Sequence, residues 1–192
     1  PLYHCFGMVL GTLACFAAGT SMIFPSEGFE PDKTMHALKS ESCTAVHGVP
    51  TMFSAMLASS EFNGKPIKSL RTGIMAGSQC PEVLMRRVLY DLGCSEITIA
   101  YGMTETSPIS FQSDVNDPVD VRVSTVGRIQ PHCEVKIVEE DGSTCAVGQT
   151  GELWTKGYLV MKGYWNDTEA TQSSIENGWM KTGDLATIDN EG

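Results

Sequence analysis

Ile97-Thr98-Ile99-Ala100-Tyr101-Gly102-Met103-Thr104-Glu105-Thr106 is the stretch on which the fold turns. A β-branched run breaks at a glycine into a loop holding an aromatic ring, hydroxyls and a carboxylate. Such a run, bounded by turn residues, predicts a buried strand. The loop then leaves the strand at its carboxyl end, where open α/β sheets bind ligands. Every residue type in it has a use beside a nucleotide. Tyr101 offers a flat face to a base, and Gly102 lets backbone approach closely. Thr104 donates to a phosphate oxygen, and Glu105 suits a hard cation such as Mg2+. Spacing alone is also met by a surface turn with a solvated glutamate, because short motifs match by chance.

Upstream of that loop, strand and helix signals alternate. The apolar segment 7–17 predicts a helix, Ala18-Gly19 a turn, and 20–24 a strand. No charge occurs from Pro1 through Ser26, which fits a covered βα unit apolar on all sides better than a membrane span interrupted by Gly11 and Gly19. A helix over 31–42 opens on a proline, and 43–46 reads as a strand. Pro50-Thr51 opens another helix to about Ser59. Leu70–Ala76 is a strand, 81–92 a helix ended by Gly93, and 96–100 the strand before the loop. This alternation predicts an α/β fold, a mostly parallel sheet covered by helices.

Near residue 112 the texture changes. The stretch 112–124 is polar, and 134–138, 151–155, 158–163 and 185–188 then read as short strands. Asp141-Gly142 is a hairpin signal between β-branched runs, and 168–175 a short helix. The chain is therefore divided into an α/β part, 1–112, and a β-rich, barrel-like part, 113–192.

Composition narrows the function classes. The 192 residues are 42% hydrophobic with a formal charge of −10, which argues against nucleic acid or an anionic membrane as a general partner. ATP stays compatible, since Mg2+, backbone N–H groups and a few local donors suffice to hold it. Seven scattered cysteines without Cys-x-x-Cys or zinc spacing predict reduced, mostly buried thiols of an intracellular protein. The chain begins at a proline and stops in the turn signal Asp189–Gly192, so both ends read as cut.

Several segments carry a resemblance. Tyr101 to Ser107 resembles the nucleotide loop of the adenylate-forming superfamily of acyl-CoA synthetases, luciferases and peptide-synthetase adenylation domains. In the family's order, Pro1 to Gly7 resembles the acyl-site turn and Ala76 to Pro81 the adenine-side loop. Gly151 to Trp154 and Gly157 to Trp165 resemble the β-rich signature, and Gly178 to Asp184 the ribose-binding turn. Five ordered matches are specific where one would be weak. Their wording is closest to medium-chain acyl-CoA synthetases.

The resemblance implies part of an adenylate-forming N-terminal domain, in an enzyme joining a fatty acid to CoA through an acyl-adenylate. ATP, Mg2+ and CoA would be required, and the mitochondrial matrix is the implied location. It assigns Tyr101 to adenine stacking, Gly102 to the nucleotide loop, Thr104 to the α-phosphate and Glu105 to Mg2+. Asp184 would accept both ribose hydroxyls, and Gly77, Ser78 and Gln79 would line the adenine and acyl pockets. Gln79-Cys80 stand where the family often has Ala-Pro, which puts the backbone contact there in question. His4 matches a histidine near the reacting carboxylate, although a lone histidine among apolar residues also fits a core position. Phe6 and Val49, with Gly77, line the implied acyl tunnel, where ordinary core packing is the other reading. No acidic residue precedes Glu27, so an uncharged acyl chain is favoured over an amino acid whose ammonium would lie unpaired. No glycine-rich loop ending in lysine occurs, so the isolated chain is expected to be inactive or nearly so. A catalytically dead nucleotide-binding or scaffolding module, and an adenylation or luciferase-like enzyme with another acceptor, remain alternatives.

Overall fold

The computed structural model describes residues 1–192, which divide into two compact units. The first comprises Pro1–Tyr101 with Gln112–Gly127, the second Gly102–Phe111 with Arg128–Gly192.

In the first unit a π-helical segment, Phe6–Leu13, runs into helix α1 (Ala14–Ala18), which ends at Gly19 in the left-handed region. Helix α2 (Pro31–Ser40), strand β1 (Ala45–Gly48), helix α3 (Pro50–Ala58), strand β2 (Thr72–Ala76), helix α4 (Glu82–Arg87) and strand β3 (Glu96–Tyr101) follow. Proline opens α2 and α3, where its missing N–H costs nothing. Helix α4 continues as a π-helical turn, Val88–Leu92, closed by Gly93 at φ 91°. Strands β1, β2 and β3 pair in parallel, with Val46 opposite Gly73 and Ala76 opposite Ala100. A Cβ on Gly73 would stand 1.9 Å from the Val46 carbonyl oxygen, so that pairing requires glycine.

The core of this unit lies between the sheet and α2, α3 and α4. Met35, Phe53, Met56, Met85, Val88, Leu92 and Ile97 are fully buried there. Each such side chain contributes about 1.5–3 kcal/mol, and unbranched methionine fills irregular gaps between helices and sheet. After the two-residue strand β4 (Phe111–Gln112), the chain runs beside β3: Ser113 N–H donates to Ile99 O, and Ile99 N–H to Ser113 Oγ, both at 2.9 Å. Helix α5 (Val119–Ser124) closes the unit. Its Val119 and Val123, four apart, pack on the core, and buried Arg122 donates to the carbonyls of Asp117 and Ile97 at 2.8 and 2.9 Å.

The second unit contains β5 (Arg128–Ile129), β6 (Cys133–Val138), β7 (Gly151–Gly157), α6 (Thr168–Ser174), β8 (Ile175–Glu176) and β9 (Trp179–Ala186). Four of its strands form a curled antiparallel sheet, half of a barrel, in the order β6-β7-β9-β8. Asp141-Gly142 makes the tip of the β6–β7 connection: the Gly142 N–H donates to Glu139 O at 3.0 Å, and Gly142 sits at φ 87°. On one face of the sheet Lys136 lies 4.4 Å from the Trp154 ring and 4.7 Å from that of Trp179, while Lys181 approaches Trp154 at 4.9 Å. These cation–π contacts join three strands across the register.

Several expectations are corrected. Residues 20–24 pair with no strand, and residues 6–18 are not buried: Leu13 is 50% and Phe16 69% exposed. An all-apolar run does require cover on every side, but this chain packs against only part of it. Residues 158–163 form turns and bends rather than a strand, bounded by Gly157 and Gly163 with φ near 150°. Of the strand expected at 185–188, only Leu185 and Ala186 are strand, as the end of the longer β9, and residues 187–188 lie beyond it. Only Cys80 and Cys94 of the seven free thiols are buried, and the rest are half-buried. Helix α5 lies in the stretch read as polar, and its Val-Asp-Val-Arg-Val-Ser alternation has the period of a strand rather than of a helix. No helix is long and apolar enough to cross a membrane.

Candidate functional site

In the first unit the parallel register brings three loops to one level. Ala76 and Ala100 are partners, so Gly77 and Tyr101 leave neighbouring strands side by side at the carboxyl edge, the edge where α/β sheets take ligands. Gly48 pairs with Met75, which delivers Val49 beside the same edge. Gly77 has φ 89°, and a Cβ on it would stand 3.0 Å from Val49 Cγ1. Residues 77–79 are exposed, Cys80 is buried, and Pro81 caps α4. The loop is thus anchored at its end and open at its middle. Tyr101 is half-buried and engaged with neighbours.

Phe6 stacks on His47 of β1, with ring centroids 6.1 Å apart, two residues before Val49. Among the expected acyl-pocket residues, Val49 and Gly77 therefore meet, and Phe6 joins through His47. Burial holds the His47 imidazole below its ordinary range, so it is neutral at physiological pH. Nothing in the local sequence marked this histidine. His4 is exposed, and its Nδ1 accepts the Phe6 N–H at 3.1 Å, which leaves the proton of a neutral ring on Nε2.

In the second unit the loop after Gly102 is fastened internally. A Cβ on Gly102 would lie 1.7 Å from the Pro108 carbonyl oxygen. The close approach that glycine permits is therefore the loop's own. Buried Thr106 accepts the Met103 N–H at 3.1 Å and donates back to the Met103 carbonyl, shaping a 3-10 turn over Thr104–Thr106. Thr104 is exposed and bonded to a neighbour, whereas Glu105 is half-buried. Its Oε1 accepts the Tyr164 hydroxyl at 2.8 Å, and its backbone carbonyl accepts the Met161 N–H at 2.8 Å. Hydrogen bonding to Glu105 raises the Tyr164 phenol, which keeps it a donor.

Asp184 is exposed and stands on β9, not on a turn. The β7–β9 register shifts between Glu152 and Trp154, beside Gly183 at φ 75°, and this irregularity gives the sequence its turn-like look. Thr182 Oγ1 donates to Leu153 O at 2.7 Å and accepts the Asp184 N–H at 3.1 Å.

No cluster of three or more histidines, cysteines or acids exists to cage a metal. Zinc or calcium would want such a cage. Magnesium keeps several waters and binds through one or two carboxylates plus substrate phosphates, so the lone Glu105 carboxylate fits it.

A family model described as AMP-binding enzyme matches residues 1–165. The putative acyl-CoA synthetase YngI of Bacillus subtilis is 50% identical over 196 residues, covering 100% of this chain and 35% of its own length. The medium-chain acyl-CoA ligase ACSF2, mitochondrial, of Danio rerio is 42% identical over 98% of this chain and 32% of its own. The solved structure of O-succinylbenzoate coenzyme A synthetase (MenE) from Bacillus subtilis, in complex with ATP and magnesium ion, superposes with a TM-score of 0.86. It is 30% identical, and the match covers all of this chain and 38% of that one. The chain spans about a third of the length of these curated relatives.

Proposed function

Because the chain belongs to the AMP-binding enzyme family, we propose that it is the nucleotide- and acyl-binding core of an AMP-forming acyl-CoA ligase. A fatty-acid carboxylate attacks the α-phosphorus of ATP, the bond to pyrophosphate breaks, and acyl-adenylate forms. The CoA sulfur then attacks the acyl carbon, and AMP leaves. The observation behind this reading is the common level at which β1, β2 and β3 end, delivering Val49, Gly77 and Tyr101 to one edge of the sheet.

In this reading Tyr101 stacks on adenine, while Gly77, Ser78 and Gln79 line the base and the start of the acyl chain with Phe6 and Val49. Gly102 shapes the nucleotide loop, Thr104 donates to the α-phosphate, and His4 stands near the reacting carboxylate. Asp184 accepts the ribose hydroxyls as an acceptor-only group. Glu105 holds magnesium together with the phosphates, and the metal supplies positive charge against the anionic reactants. Likeness to the mitochondrial medium-chain ligase supports a medium-chain acid and a mitochondrial setting. The isolated 192 residues turn over little, since losing one preorganised charged donor costs about 10²–10³ in rate and no glycine-rich loop ending in lysine is present.

The test is equilibrium binding of ATP with Mg2+ to the wild type, Tyr101→Ala and Asp184→Ala. Each substitution is expected to weaken binding about tenfold or more. Unchanged affinity in both overturns the reading. In the enzyme that contains this segment, release of pyrophosphate on adding octanoate, ahead of acetate or palmitate, tests the acyl preference.

A further inference from the structure

Tyr164 lies 59 residues from Glu105 in sequence, yet its hydroxyl donates to Glu105 Oε1 at 2.8 Å. The segment that bears it is fastened at several points. The Met161 N–H donates to the Glu105 carbonyl at 2.8 Å, so the backbone before Tyr164 is tied to the residue its side chain holds. The Tyr164 N–H donates to Thr171 Oγ1 at 2.9 Å, and that hydroxyl donates to Asp167 O at 2.7 Å. A Cβ on Gly163 would stand 2.7 Å from Thr171 Cγ2, so glycine lets the loop close on α6. Asp167 Oδ1 caps that helix by accepting the Ala170 N–H at 2.9 Å. Each contact narrows the positions open to the phenol.

A carboxylate that binds a hard cation through one oxygen must not rotate. Partners of a metal ligand fix its orientation and are commonly worth 10–100-fold in metal affinity. A phenol suits this task because it adds no charge to compete with the cation and, in its neutral form, donates one proton along a fixed direction. We infer that Tyr164 is a positioning residue: its hydroxyl occupies one oxygen of Glu105 and turns the other toward the magnesium of a bound magnesium–nucleotide. This rests on the reading of Glu105 given under the proposed function. It assigns a task to a side chain in the β-rich unit that acts through Glu105. Packing alone would require the ring and not the hydroxyl.

The experiment is equilibrium binding of ATP in Mg2+ and in EDTA to the wild type, Tyr164→Phe, Glu105→Gln and the double variant, with melting temperatures recorded for all four. Tyr164→Phe is expected to lower ATP affinity in Mg2+ about tenfold and to leave affinity in EDTA unchanged. In the Glu105→Gln background the same substitution is expected to cost nothing further, because the oxygen it orients no longer binds metal. A Tyr164→Phe protein with wild-type Mg2+ dependence, beside a Glu105→Gln protein that has lost it, overturns the positioning role alone. A Glu105→Gln protein that keeps its Mg2+ dependence, or a wild type that shows none, overturns the metal reading beneath it. Equal loss in Mg2+ and EDTA marks the hydroxyl as structural and also overturns the proposal. Should Tyr164→Phe not fold, Thr171→Val, which removes the acceptor for the Tyr164 N–H, is expected to give a smaller loss confined to Mg2+. Wild-type Mg2+ dependence in that variant overturns the proposal.

Discussion

Glu152 Oε1 accepts the N–H of Gly183 at 2.9 Å, one residue before Asp184, while its Oε2 accepts the indole N–H of Trp154 at 2.8 Å. One carboxylate thereby bridges β7 and β9 where their register slips, and it shapes the backbone that presents Asp184. Glu152→Ala is expected to cost about 1–3 kcal/mol of stability for the two lost bonds, read as a lower urea midpoint. It should also reduce the preference for ATP over 2′-deoxy-ATP, since the aspartate proposed to read the ribose loses its support. Glu152→Gln, which keeps an acceptor for Gly183, is expected to retain most of that preference.

Gly102→Ala should be among the most damaging single changes in the chain. The new Cβ would fall 1.7 Å from the Pro108 carbonyl oxygen, a backbone atom with no flexible end to yield. A loss of about 3 kcal/mol or more in urea unfolding is expected. Gly142→Ala is the control: nothing lies within 4 Å of its Cβ, and only the φ of 87° is strained, so about 1 kcal/mol is expected there.

His47 predicts a pH dependence. Burial depresses its folded value below the ordinary 6.5, so between those two values the unfolded chain binds a proton that the folded one refuses. Stability from keeping this ring neutral is complete above pH 6.5 and is lost as the pH falls from there toward the folded value. His47→Gln is expected to flatten the fall in urea midpoint between about pH 7 and 5.5, above the carboxylate range. An unchanged slope would show that His47 titrates freely.

The seven thiols should separate by reactivity. Burial pushes Cys80 up to about 11 and Cys94 up to about 12, so neither supplies thiolate near neutral pH. With a disulfide reagent under native conditions, these two are expected to react last, at a rate that follows unfolding. Mass mapping after partial labelling checks the order, and early modification of Cys94 would contradict it.

Local periodicity and punctuation were enough for the parallel strands β1, β2 and β3 and for the helices between them. Pro31, Pro50 and Gly93 bound their helices as expected, and the β-branched run 97–99 lies in β3. Those signals act within a few residues, through φ restriction and alternating burial, so they are visible in a linear string. The ordered motif matches placed the family for a similar reason, as each is a short backbone shape requiring particular side chains. Pairings across long separations had no such trace. The Tyr164 hydroxyl on Glu105, the Glu152 carboxylate on Gly183 and the Phe6 ring on His47 depend on strands and loops meeting in three dimensions. Several of these residues stand inside the matched motifs, yet no local spacing says which of them meet. Exposure of the first apolar helix has the same origin, because composition records what a segment could bury and packing alone selects which side is covered.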